Sequence, residues 1–294
     1  MRKAFVQLHI AILLAGLTGI LGRLITLNEA WLVWYRLLIS ATTMFLLFYF
    51  TGSLKKVKPG DMLRIAGVGA IAALHWISFF GAIKYSNVSV ALVCFSSVGF
   101  FTSFLEPVIT KRRIIWMDVF LGLLVMLGIY IIFHFDGQYQ TGILIGIISA
   151  ALGAVFPIFN RQFMQRMNAA TLMSYELAGG WITVTLLLPF YENAFPSTHW
   201  WPSQSDWVWL LVLSWLCSVW AFQLSANALK KISAFTVNIS YNLEPVYGIL
   251  LAFALFQENK HLDDGFYIGL VIILAVVLFQ SWRIYKSRAS VDRS

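Results

Sequence analysis

The chain has 294 residues, of which 60% are hydrophobic and only 12% are charged, about half the charged share of a typical soluble domain. This composition excludes a disordered chain, and it argues against a soluble enzyme because 21 basic and 13 acidic side chains cannot cover a water-facing surface of this size. Lipid is therefore the expected solvent for most of the surface.

Apolar segments of membrane-spanning length follow one another along the whole chain. A helix needs about 20 residues to cross the hydrocarbon core of a bilayer. Hydropathy and polar breaks predict ten such helices, near residues 5–24, 31–51, 62–83, 88–109, 115–134, 141–160, 170–190, 207–227, 232–256 and 265–283. The first lacks an obvious signal-peptide cleavage site, so we interpret it as a retained span. The longest break, 191–206, contains Trp200 and Trp201 and is typical of an interfacial aromatic loop.

The basic residues support the same ten spans independently. Seventeen of the 21 lysines and arginines then lie on one side, in the two termini and in the loops after the even-numbered spans. Arg23, Lys84 and Lys260 lie on the opposite side, and Arg36 lies within a span. Because lysine and arginine accumulate in cytoplasmic loops, we predict that both termini are cytoplasmic. The net charge of +8 then comes from the lysines and arginines of the cytoplasmic loops, which set the orientation in the membrane. Nucleic acid is therefore not an expected partner.

Short sequence matches recur in the same order in the two halves of the chain. They are Ala82-Ile83-Lys84 with Ala228-Leu229-Lys230, Met117-Asp118 with Asp263-Asp264, and Tyr35-Arg36 with Tyr175-Glu176, the first two at a step of 146 residues. Each half holds five spans, and an odd number makes the second copy enter the membrane from the opposite face.

The predicted fold class is therefore an all-α membrane protein with ten transmembrane helices. The helices form two inverted five-helix repeats, 5–134 and 141–283, and a basic cytoplasmic tail, 284–294, follows them. Inverted repeats are typical of secondary transporters, which alternate access to a site near the bilayer midplane.

Several motifs resemble one known family. They are Tyr35-Arg36-Leu37-Leu38 at the start of the second span, Leu243-Glu244-Pro245-Val246 in the ninth, and the segment 252–258 followed by Gly269. Together with the two five-helix halves, they are similar to the EamA-like branch of the drug/metabolite transporter superfamily, over residues 5–133 and 141–281.

The resemblance implies a bacterial inner-membrane permease, often an exporter of amino acids or related metabolites. It also implies that the third, fourth, eighth and ninth helices flank a central cavity. The chain departs from a simple repeat at Leu105-Glu106-Pro107, which lies about eight residues out of register with Glu244-Pro245. A role for Glu244 is therefore not transferred to Glu106.

Three ionisable residues are predicted within spans, where a charge is costly unless it faces a cavity or a partner: Arg36, Glu176 and Glu244. Arg36 and Glu176 are repeat counterparts, so one interpretation is an ion pair that ties the halves together. In a second, Arg36 binds a substrate carboxylate through its fork of donors, and Glu176 binds an ammonium group or a coupling proton. In a third, both lie near the lipid headgroups.

Glu244 directly precedes Pro245, where a helix tends to start or break. Membranes tolerate a broken helix only inside protein or along a water-filled cavity. Asn238, Tyr241 and Asn242 precede Glu244, and this polar cluster indicates either a cavity wall or hydrogen bonds between helices.

Five further polar or aromatic residues are candidates for the same cavity: His75, Trp76, Trp220, Gln223 and Asn227. Either tryptophan could stack on a ligand cation, although packing or interfacial anchoring is the commoner role. For His75 the alternative is a hydrogen-bonded structural group. Ser96 and Ser97, in the fourth span, we interpret as small residues that allow close helix approach.

The sequence has no phosphate-binding G-x-x-x-x-G-K-[ST] motif and no H-E-x-x-H or G-x-S-x-G motif. Gly67-Val68-Gly69 lies inside a span and is assigned to helix packing. Cys94 and Cys217 have no disulfide or metal-site spacing and are expected to be core residues. We therefore expect no catalytic residues, no metal and no cofactor.

The predicted function is secondary active transport of a small metabolite, such as an amino acid or a derivative, across the inner membrane. The expected partners are a small-molecule substrate and membrane lipid, with proton coupling and a homodimer as further hypotheses. The alternatives are an integral-membrane lipid-modifying enzyme and a non-transporting membrane receptor or scaffold.

Overall fold

The computed structural model describes residues 2–135, 137–229, 231, 237 and 240–291, and the regular structure in these ranges is helical. The α-helices are α1 (Arg2–Leu24), α2 (Glu29–Phe50), α3 (Pro59–Tyr85), α4 (Val88–Phe95), α5 (Val98–Thr110), α6 (Trp116–Phe135), α7 (Gln140–Phe163), α8 (Ala169–Ala194), α9 (Gln204–Ser214), α10 (Ala221–Leu229), α11 (Glu244–Phe256) and α12 (Asp264–Val291). A π-helix, Trp215–Trp220, joins α9 to α10.

Within the described residues, nine helical stretches are long and apolar enough to cross a membrane, and α11 is a shorter apolar helix. The all-helical membrane fold is therefore confirmed, with nine to ten spans. Residues 232–236, in the first part of the predicted ninth span, lie outside the described residues. The π-helix within the predicted eighth span was not anticipated.

Asparagine caps explain where three of the helices begin. The side-chain oxygens of Asn28, Asn87 and Asn168 accept hydrogen bonds from backbone amides in the first turns of α2, α4 and α8. Such caps satisfy amides that have no acceptor within the helix. Asn28 and Asn168 are 140 residues apart, the same step as Arg36 and Glu176.

The fourth span is interrupted at Ser96 and Ser97, which separate α4 from α5. The Ser97 hydroxyl donates to the Cys94 carbonyl oxygen at 2.7 Å, and the Ser96 hydroxyl donates to that of Leu92 at 3.2 Å. Serine side chains that bond the preceding carbonyls compete with regular helix geometry. The sequence did not predict this interruption, and the role of the two serines in close helix approach stays a prediction.

The same interruption recurs 146 residues later, where a turn at Asn242 and Leu243 precedes α11. Both α5 and α11 are 13 residues long. Each ends on a residue in the left-handed conformation, Lys111 with φ 54° and Gln257 with φ 53°. The second half thus repeats the backbone conformation of the first half here, although none of the short sequence matches covers this segment.

Helices that occupy the same position in the two repeats, which we call counterparts, also pack in similar ways. The helix α1 packs against α10 and α11, and its counterpart α7 packs against α3 and the α4–α5 pair. Two pairs of counterparts contact each other directly: α2 with α8, and α6 with α12.

Close backbone contacts require glycine at particular crossings. A Cβ on Gly69 of α3 would collide with the Glu176 carbonyl oxygen on α8, whereas a Cβ on Gly67 would meet nothing within 4 Å. The assignment of this glycine pair to helix packing is thus correct for Gly69 only.

Candidate functional site

A cavity of about 360 Å³ lies among α4, α5, α6, α11 and α12. Its wall includes both helix interruptions. One contributes Ser96, Val98 and Gly99, and the other contributes Asn242, Glu244 and Pro245.

This cavity leads toward one end of the bundle. An adjoining cavity of about 470 Å³ shares Glu106, Asp118 and Asn242 with it and extends to Arg112 and Arg113 in the loop after α5. We call this opening the Glu106 mouth. It lies at the end of the bundle that carries the basic loop after the fourth span.

Tyr241, Asn242 and Glu244 are the sequence candidates that line the cavity. The Tyr241 hydroxyl lies 2.6 Å from the Ser225 hydroxyl, and the Asn242 amide donates to the Ser281 hydroxyl at 3.3 Å. These three residues line the cavity, and two of them also bond neighbouring helices, so both interpretations of the cluster stay predictions.

Glu244 is the first residue of α11, and Pro245 follows it in the first turn, as predicted from the sequence. Proline suits this position because it has no amide hydrogen to leave unpaired. The half-buried Glu244 side chain lines the cavity.

Arg36 is buried in the bundle interior, with 5% of its surface exposed. Its guanidinium carbon lies 4.7 Å from the centre of the Trp76 ring, and its Nε donates to the Ser218 hydroxyl at 3.2 Å. Its terminal nitrogen Nη1 has no hydrogen-bond partner among the residues that the structure describes. The site thus holds a guanidinium with unused donor capacity, which is the arrangement an anionic ligand group needs.

Glu176 is also buried, but it does not pair with Arg36: none of the ion pairs among the described residues joins the two. Its carboxylate interacts with the Asn160 side chain, and within the described part of the chain its Oε2 has no hydrogen-bond partner. The ion-pair interpretation is therefore wrong for this conformation, because Arg36 packs against Trp76 and Ser218 instead.

His75 has a structural role. Its Nδ1 lies 2.9 Å from the Ser149 carbonyl oxygen and 3.0 Å from the Ser149 hydroxyl, which joins α3 to α7. Its ring packs among Phe79, Phe95 and Phe156.

Four further candidates, Trp76, Trp220, Gln223 and Asn227, are not among the residues that line the cavity. Trp76 contacts Arg36, and Trp220 ends the π-helix with about half of its surface exposed. Gln223 and Asn227 are half-buried on α10. Asn238 lies outside the described residues.

Sequence reasoning did not assign several residues that line the cavity, including Ser96, Glu106, Asp118 and Gln280. A signal for Ser96 was present, because the step of 146 residues maps Asn242 onto Ser96 and Leu243 onto Ser97. Glu106 was set aside because its Glu-Pro pair is out of register with Glu244.

Comparison with known proteins agrees with this architecture. A solved structure described as a crystal structure of a protein aligns with 97% of this chain and 99% of its own, with a TM-score of 0.63 and 15% sequence identity, which is evidence of a shared fold. None of the curated proteins compared with the chain matches it. The sequence model of the EamA-like transporter family matches twice, over residues 3–134 and 140–281, once in each half. The resemblance and the two repeats are thus confirmed, and the chain belongs to the EamA-like transporter family.

Proposed function

We propose that this membrane protein is a secondary active transporter that moves a small metabolite, such as an amino acid or a derivative, by alternating access. The observation that carries the proposal is that the interruptions of both counterpart helices line one cavity beside Glu244. Paired interruptions at corresponding positions of two repeats are typical of transporter binding sites.

The charges near the cavity favour a zwitterionic substrate. Arg36 offers an unpaired nitrogen for a carboxylate, and Glu244 offers a carboxylate for an ammonium group. The cavity volume falls within the range of small-molecule sites. Arg36 is not among the residues that line the cavity, so contact of one ligand with both charges requires a rearrangement of the surrounding helices.

We infer the transport direction and topology from the basic loops and from the family. Two inverted repeats with both termini in the cytoplasm, in the cell inner membrane, account for the one-sided distribution of lysine and arginine. The Glu106 mouth then faces the cytoplasm, which suits loading of a substrate for export. A homodimer remains a separate hypothesis.

We propose Glu244 as the residue for proton coupling. It lines the cavity, so a proton and a substrate ammonium group can compete for its carboxylate. Glu176 contacts Asn160 and is absent from the cavity wall, which makes it the weaker candidate.

Two experiments in sequence test the function. The purified protein is first screened by thermal shift against a metabolite library, because a bound ligand stabilises the folded state by mass action. Each stabilising compound is then tested for counterflow in proteoliposomes, where a transporter exchanges labelled for unlabelled ligand. Ligands that stabilise the protein but never cross would instead favour a receptor or scaffold, and chemical conversion of a lipid would favour an enzyme.

Variants sharpen this test. Glu244→Gln should lose most of the thermal shift caused by the ligand, whereas Asp263→Asn, an exposed carboxylate in the loop before α12, should keep it. Equal shifts in the two variants would remove Glu244 from the binding site.

A further inference from the structure

The carboxylate of Glu258 joins the ends of three helices at the end of the bundle opposite the Glu106 mouth. Glu258 follows α11 and is 3% exposed. It accepts hydrogen bonds from the Val88 amide at 3.1 Å, the Ser89 amide at 2.8 Å and the Ser89 hydroxyl at 2.5 Å, and it pairs with Arg23. It therefore caps the first turn of α4, where a negative charge is favourable.

These contacts join three elements: the end of α1, the start of α4 and the end of α11. The Arg23 guanidinium also lies 4.5 Å from the centre of the Phe256 ring in the last turn of α11. Deeper in the bundle, a Cβ on Gly16 of α1 would lie 2.9 Å from the Gly248 amide nitrogen of α11. The two helices are thus in close contact from the bundle interior to this end, which we call the Glu258 mouth.

The repeat places a second acidic–basic pair at the other end. Glu106, near the end of α5, pairs with Arg161, near the end of α7, at 3.1 Å. Since α7 is the counterpart of α1 and α5 is the counterpart of α11, both pairs join corresponding helices. They are not residue-for-residue counterparts, because Glu106 lies inside its helix and Glu258 lies beyond the end of its helix.

The two pairs differ in burial. Glu258 is desolvated and receives several donors, whereas the side chains of Arg161 and Glu106 are 65% and 32% exposed. Glu106 lines the open cavity, and among the described residues Arg161 is the side chain that donates a hydrogen bond to its carboxylate. An exposed pair of this kind contributes little to stability, whereas the buried carboxylate depends on its donors.

We propose that Glu258 and Glu106 are the two gate-positioning residues of the transport cycle. Glu258 with Arg23 and Ser89 holds the Glu258 mouth closed while the Glu106 mouth is open. In the opposite state Glu258 is released, and Glu106 with Arg161 takes the buried position at its own end. This inference rests on the proposed transport function, but its test does not require transport.

Gly99 supplies a reporter for the test. It lines the cavity, and a Cβ at this position would meet no atom within 4 Å, so Gly99→Cys should be accepted and reachable. The native Cys94 and Cys217 are buried and are replaced by alanine. Labelling rates with a membrane-impermeant maleimide are measured from each face of oriented vesicles, and their ratio reports which mouth is open.

Glu258→Gln keeps the size of the side chain but removes its negative charge. It also places an NH₂ group, which cannot accept a hydrogen bond, among the groups that donate to Glu258. We expect the labelling ratio to shift about tenfold toward the Glu258 mouth, as the loss of hydrogen bonds to a charged group would produce. Arg23→Gln should shift it in the same direction. Glu106→Gln should shift the labelling ratio toward the Glu106 mouth, because this substitution weakens the state in which the Glu106 mouth is closed.

Asp263→Asn, an exposed carboxylate near the Glu258 mouth, is the control and should leave the ratio unchanged. Folding of each variant is checked by size-exclusion chromatography and thermal unfolding. Folded Glu258→Gln with an unchanged ratio overturns the proposal, and so do equal shifts by Glu258→Gln and Glu106→Gln in one direction. Opposite shifts in a protein that exchanges no metabolite would support the gates while rejecting the transport function.

Discussion

Arg36 on α2 and Glu244 at the start of α11 carry opposite charges within the helix bundle, and no ion pair among the described residues joins them. A terminal nitrogen of Arg36 has no hydrogen-bond partner in the described part of the chain, and Glu244 lines the cavity. Burying two opposite charges that do not pair with each other costs free energy, unless another group, such as a bound ligand, pairs with each of them. This relationship leads to the first two predictions.

Glu244→Gln should abolish the dependence of transport on a pH gradient, because glutamine cannot exchange a proton. Substrate accumulation driven by the gradient is expected to fall at least about tenfold, measured in proteoliposomes with and without the gradient. Glu176→Gln is the matched control and should retain the dependence. If both variants respond to the gradient as the original protein does, neither carboxylate couples protons.

Trp76→Leu should weaken substrate binding because the Trp76 ring positions the Arg36 guanidinium. A desolvated cation–π contact contributes up to about 2 kcal/mol, so a loss of affinity of up to about thirtyfold is expected. Trp76→Phe should retain part of the affinity, and Trp116→Leu, at an exposed site, should retain all of it. Ligand titration by thermal shift measures the effect, and equal affinity in the leucine and phenylalanine variants would contradict this role for the ring.

His75→Ala should destabilise the protein without changing substrate affinity. The change leaves buried Ser149 groups without their imidazole partner and opens a cavity among three phenylalanine rings. Leaving a buried polar group unsatisfied costs about 1–3 kcal/mol, and the cavity adds to this. Thermal unfolding measures the loss, while an altered KM in a folded variant would show that His75 contributes to the site after all.

Gly69→Ala and Gly67→Ala should have opposite effects although they lie two residues apart on α3. The new methyl group at Gly69 would collide with the Glu176 backbone, and overpacking of this kind costs about 1–3 kcal/mol. At Gly67 the methyl group meets open space, so alanine should stabilise the helix by about 0.5–1 kcal/mol. Thermal unfolding of both variants measures the difference, and equal stability would mean that α3 and α8 do not pack as described.

The sequence predicted the local features of the fold because lipid imposes strong local constraints. Most span boundaries, the start of α11 at Glu244 and the burial of Arg36 and Glu176 follow from hydropathy, proline chemistry and the cost of charge in a bilayer. The interruption at Ser96 and Ser97 was missed because serine is common in membrane helices and seldom breaks one.

The partners of the buried charges could not be predicted from the sequence. The repeat made Arg36 and Glu176 counterparts, yet Arg36 packs on Trp76 and Glu176 lies beside Asn160. Likewise, Glu258 was recognised only as part of a family-like segment, while its role as a cap for α4 depends on residues some 170 positions away.

The sequence by itself therefore determined that this is a helical membrane protein built from two repeats. Hydropathy and repeated motifs can be read along the chain without knowledge of contacts between distant segments. Only the tertiary structure decided that the interruptions of the two repeats line one cavity, that Glu258 caps α4 and pairs with Arg23, and that Arg36 packs against Trp76. Those relationships depend on how helices cross, and small residues such as Gly16, Gly69 and Gly248 set the crossings through contacts between distant segments.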